Sequence, residues 1–108
     1  MSVKKLIGQL KEKKKRNEKL QELRAEEVEN IIEFFFEKYE HKRGSHIIVQ
    51  DSRLERYGEI NQLSEYGRLG QLTIPVKSGQ KVKSVYVRKL IEAIEICEFM
   101  EGKSEEED

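Results

Sequence analysis

The tripeptide Gly44-Ser45-His46 sets an imidazole at the start of a β-branched run, Ile47-Ile48-Val49, with Lys42 and Arg43 just before it. A histidine suits proton transfer, because an unperturbed imidazole titrates near pH ~6.5, close to working pH. Cleavage of RNA without a metal needs such a base to take the 2′-hydroxyl proton, cations to stabilise a phosphorane-like transition state, and an acid for the leaving oxygen. Lys42, Arg43, Lys77, Lys81, Lys83, Arg88 and Lys89 are available as cations, and they would also supply a salt-dependent affinity for phosphate. RNA in A-form is met mostly through its shape, phosphates and 2′-hydroxyls, which asks for no aromatic platform. Ser45 has no Asp-His-Ser arrangement around it, so turn capping suits it better than nucleophilic attack. The plain alternative is an exposed strand histidine beside a solvated charged face, ordinary in a chain that is 39% charged.

The composition narrows the remaining classes. In 108 residues the chain has room for one small domain with extensions, and an apolar fraction of 36% excludes a large core. Lys plus Arg equals Asp plus Glu at 21 each, so net charge favours neither nucleic acid nor membrane. The distribution is uneven. Residues 1–24 carry nine basic and three acidic side chains, whereas residues 98–108 carry six acidic side chains against Lys103 alone. No apolar run approaches the ~18 residues of a membrane span, the N-terminal stretch has no signal-like apolar region, and a cytoplasmic location is expected. Cys97 is the only cysteine, and with His41 and His46 as the only histidines no metal or other cofactor is expected.

The elements that must position the site follow from periodicity. Residues 1–24 have helix formers but a sparse apolar pattern (Leu6, Ile7, Leu10, then Leu20 and Leu23), which predicts a charged helical arm that meets a partner or a second copy instead of the core. From Ala25 to Phe36, Val28, Ile31, Ile32 and Phe35 share one face of an amphipathic helix, with Phe34 and Phe36 flanking it. Burying each of the four would contribute about 1.5 to 3 kcal/mol. Tyr39 to Gln50 reads as a hairpin bent at Gly44, with Ile47 and Val49 inward and His46, Ile48 and Gln50 on the opposite face. The long stretch 51–71 is expected to hold a short helix. Leu72, Ile74 and Val76 alternate in a third strand whose Pro75 belongs at its end or on an edge. Ser84 then caps a helix with Val87, Leu90, Ile91 and Ile94 inward, running to Phe99. The expected fold is α+β, a three-stranded antiparallel sheet with two helices on one face (α-β-β-β-α) after a helical arm. The divisions are 1–24 as arm, 25–100 as domain and 101–108 as an acidic disordered tail.

A first helix before a hairpin, Gly44-Ser45-His46 opening a strand, Thr73-Ile74-Pro75-Val76, and Lys81-Val82-Lys83 leading to a helix with Val87-Arg88 together resemble the HicA toxins. These are small mRNA interferases with a double-stranded-RNA-binding-domain-like (dsRBD-like) fold, and the resemblance covers roughly 25–97. It implies a metal-independent endoribonuclease of a toxin-antitoxin pair, with mRNA as substrate, a HicB-like antitoxin as protein partner, and His46 as catalytic residue. RNA contacts are then expected at Lys42, Arg43, Gly44, Ser45, Lys77, Lys81, Lys83 and Arg88. The chain departs from the family pattern in having Ile47 where many members have a second histidine, and Val85-Tyr86 where Gly-Thr is common. The connection between second and third strands is also long. The alternative is a non-catalytic RNA-binding or protein-interaction module on the same scaffold.

His41 is a second catalytic candidate on register grounds. A two-residue loop Arg43-Gly44 would pair Lys42 with Ser45 and set His41 directly opposite His46 on one face, where the two imidazoles divide base and acid roles. An odd loop length would separate them.

Overall fold

The computed structural model describes residues 2–42, 45–63, 66–67, 69–78 and 80–106, with side chains as far as Gly102. The first helix, α1 (Val3–Lys15), starts where the Ser2 hydroxyl accepts from the Lys5 N–H, and ends on Lys13, Lys14 and Lys15, whose charges suit the negative end of a helix dipole. Its apolar residues are few, yet Ile7 and Leu10 are buried, as are Leu20 and Leu23 in the segment that follows. The expected arm is therefore part of the core, contrary to the expectation from its sparse pattern. That pattern suffices because α1 uses a single narrow stripe, and Lys11 and Lys14 on the same side reach Glu98 at 2.5 Å and Glu95 at 2.9 Å.

After β1 (Leu23–Arg24) comes α2 (Ala25–Phe35), which buries Val28, Ile31 and Ile32 and packs Phe35 against the same core. Phe34 is 59% exposed, but Phe36 is buried, because the chain turns extended there and carries its ring inward onto Phe35, edge to face at 5.2 Å. The strands β2 (Lys38–Lys42), β3 (His46–Gln50) and β4 (Gln71–Pro75) form an antiparallel sheet in the order β2-β3-β4. Ile47, Val49, Leu72 and Ile74 are buried on its inward face, where α2 lies against β2 and the last helix against β4. Pro75 closes an edge strand, as its missing N–H requires.

Between β3 and β4 stands α3 (Ser52–Asn61), begun by Asp51, whose carboxylate accepts from the Arg53 N–H at 2.9 Å. The return to β4 passes Gly70 at φ +61°, where an added Cβ would lie 2.3 Å from the Asp51 carbonyl oxygen and 2.4 Å from the Glu55 nitrogen. β5 (Lys81–Val82) pairs with β1 in a separate two-stranded ladder, Leu23 with Val82 and Arg24 with Lys81. The last helix, α4 (Ser84–Glu106), buries Val87, Leu90, Ile91, Ala93, Ile94, Cys97 and Met100, and packs on both α1 and α3. It runs past Phe99 to Glu106, so the tail expected to be disordered is helical over most of its length. Glutamate is a good helix former, and the helix persists there although its carboxylates stand at the negative end of the dipole. The observed class is α+β with a three-stranded antiparallel sheet; α3 is the short helix expected within 51–71, and the β1–β5 ladder is added to the expected elements. Among the described residues no helix is long and apolar enough to cross a membrane.

Candidate nucleic-acid interface

Register decides where the two histidines go. Lys42 pairs with His46, and His41 pairs with Ile47. Three residues thus separate the paired ends instead of two, and Ser45 returns its N–H to the Lys42 carbonyl at 3.0 Å. With an odd count the alternation shifts by one residue, which turns His41 to the helix-facing side and leaves His46 on the open side. The expected His41–His46 couple is not formed. The His41 Nδ1–H donates to Glu29 Oε1 on α2 at 2.8 Å, and its Nε2 is buried without a described partner. This ring joins β2 to α2 and faces away from any substrate on the open side, so His41 leaves the set of catalytic candidates.

His46 is exposed at the first position of β3, in register with Lys42 on β2 and Pro75 on β4. Directly paired residues project from one face, so His46 and Lys42 stand side by side there. The β3–β4 ladder continues one step further, with the Val76 N–H donating to the Ser45 carbonyl at 2.8 Å, and the exposed Lys77 follows. Lys77 bridges to Lys81, which pairs with Arg24. Lys42, Ser45, His46, Lys77 and Lys81 are in this way linked through one end of the sheet. Lys83 instead opens on a groove beside α1, and Arg88 is half-buried in the second turn of α4. Arg43 and Gly44, both expected to touch RNA, lie outside the described residues.

The rest of the open sheet face is polar and uncovered. Lys38, Glu40, Lys42, Ile48, Gln50 and Gln71 line a depression of about 320 Å³ on it. Sequence reasoning missed Arg24, which enters the cationic set only through the β1–β5 pairing. No local signal marks a two-residue strand.

A second charged cluster is structural. Asp51 is 1% exposed, and its carboxylate accepts from the Arg53 side chain at 2.8 Å and from the Glu37 N–H at 3.1 Å. Burial alone would raise this carboxyl, but the Arg53 side chain and backbone and the Glu37 N–H hold it below its ordinary value. Arg53 also donates to the Phe35 carbonyl, stands 4.8 Å from the centre of the Phe35 ring, and has its own pKa raised by the Asp51 hydrogen bond. The network joins the end of α2, the start of α3 and, through Glu101, α4.

No protein-family model matches this chain, and no curated protein or solved structure matches it either.

Proposed function

We propose that this chain is a HicA-like endoribonuclease on a dsRBD-like scaffold, cleaving mRNA without a metal and held in check by a HicB-like antitoxin. The observation that carries the reading is the exposed His46 on the uncovered sheet face, beside Lys42 and next to the Lys77–Lys81 bridge. His46 takes the 2′-hydroxyl proton, and the 2′-oxygen attacks the neighbouring phosphorus. The bond from phosphorus to the 5′-oxygen breaks, leaving a 2′,3′-cyclic phosphate. Lys42 and Lys77 offset the charge that builds on the phosphoryl oxygens, and such fixed cations commonly supply most of the rate enhancement where charge develops in the transition state. With His41 on the other face, the leaving oxygen takes its proton from solvent.

The test is cleavage of RNA by purified protein in excess chelator. His46→Ala should lower the rate by about 100-fold to 10,000-fold, with stability changed by under about 0.5 kcal/mol because the position is exposed. Expression of the unaltered chain should arrest growth, and the same substitution should relieve the arrest. Cleavage undiminished by His46→Ala would remove the assignment. RNA binding without any cleavage by the unaltered chain would favour the non-catalytic module.

A further inference from the structure

The segment outside the HicA resemblance contributes cations of its own. Beside the start of α4 lies a groove of about 700 Å³, lined by Lys13 from α1, by residues 19–22, and by Lys83, Ser84 and Val85. Three ammonium groups, those of Lys13, Lys19 and Lys83, meet one carboxylate, that of Glu22. The lysines of α1 divide by face: Lys11 and Lys14 are taken up by Glu98 and Glu95 of α4, whereas Lys13 lies on the groove side and donates to Gln21 at 3.0 Å. Among the described residues no ion pair neutralises Lys19, Lys77, Lys81 or Lys83, and the first turn of α4 holds no acidic residue. The groove is continuous in the chain with the candidate site, because Lys83 stands two residues after Lys81, which pairs with Arg24 and bridges to Lys77.

We propose that Lys77, Lys81, Arg24, Lys83, Lys19 and Lys13 form one phosphate-tracking path, along which RNA leaves the His46 site and enters this groove. The ligand's identity rests on the RNA reading of His46, while the path itself is a matter of charge. A row of cations, with no ion pair among the described residues at Lys19, Lys77, Lys81 and Lys83 and shared with Glu27 at Arg24, is what a polyanionic backbone requires, and it calls for no base-specific contact. The N-terminal segment thereby serves substrate binding as well as core packing.

The experiment uses the full chain carrying His46→Ala, so that RNA survives, and a fluorescein-labelled 20-nucleotide RNA followed by anisotropy over a salt series. Lys19→Gln/Lys83→Gln should weaken binding at least tenfold. It should also make the plot of log affinity against log salt shallower by about 1.4, at roughly 0.7 per phosphate contact for a single strand. Lys4→Gln/Lys5→Gln, on exposed positions of the first turn of α1, should alter neither quantity. An unchanged slope in the groove variant, or an equal loss in the α1 control, overturns the path. RNA cleavage that persists in His46→Ala protein defeats the catalytic reading instead, and the slopes, measured on a non-cleavable 2′-O-methyl RNA, still decide the path.

Discussion

His41 and His46 stand on opposite faces of the sheet, five positions apart in sequence and one step out of register. The first is anchored to Glu29 at 2.8 Å, and the second is exposed beside Lys42. A structural imidazole and a chemically available one are thus separated by the thickness of a single β-layer.

Substitution of His41 should cost stability and leave chemistry alone. A hydrogen bond to a charged group contributes about 1.5 to 3 kcal/mol, so His41→Ala should lower the unfolding free energy within that range in urea titration. RNA cleavage per folded molecule should stay at the unaltered rate. A double-mutant cycle with Glu29→Ala should return most of the loss as coupling.

The Asp51–Arg53 pair predicts acid sensitivity. Asp51 has its pKa lowered in the folded state, so folding is favoured above the ordinary carboxylate value, and that contribution is lost as pH falls through the lower native one. Urea midpoints measured from pH 5 to pH ~2 should decline, and the decline should be smaller in Asp51→Asn protein. Arg53→Met leaves a buried carboxylate unpaired and should cost about 3 to 5 kcal/mol at neutral pH.

Cys97 predicts the alkaline limb. Burial, with the nearby Asp51 carboxylate, pushes its thiol up to about 12 from an ordinary 9.0. A raised value means that stability is intact below the unfolded pKa and is lost as pH rises toward the folded one. Melting temperature should therefore fall across that alkaline range. Tyr39, held up to about 12 by its hydrogen bond to Glu33, adds to the fall, and Tyr39→Phe separates the two. At neutral pH the Cys97 thiol should react with a disulfide reagent only as fast as the protein opens.

Gly70 should tolerate no side chain. It combines φ +61° with backbone atoms of Asp51 and Glu55 inside the space a Cβ would fill, so neither strain nor clash can be relieved by moving a flexible group. Gly70→Ala should cost more than the ~1 kcal/mol of an unfavourable left-handed residue alone, read as a shift in urea midpoint. Gly67, also at positive φ but with open space around its Cβ position, should show only that smaller cost.

Local pattern was enough to place much of this molecule. The stripe Val28, Ile31, Ile32 made α2 legible, and the alternation His46 to Gln50 assigned Ile47 and Val49 inward and His46 outward, because period 3.6 and period 2 are properties of a single segment. Pro75 at a strand end followed from its missing N–H. The tertiary structure alone decided what depends on two segments meeting. Whether His41 faced His46 turned on one residue of loop length. Residues 1–24 entered the core because α4 offered a surface to a narrow stripe that looked too thin by itself. Arg24 joined Lys81 through a two-residue ladder with no sequence signature, and Asp51 kept its charge in the interior because Arg53 and the Glu37 N–H came to it. In each case the deciding energy belongs to a contact between distant parts of the chain, so no window of sequence contains it.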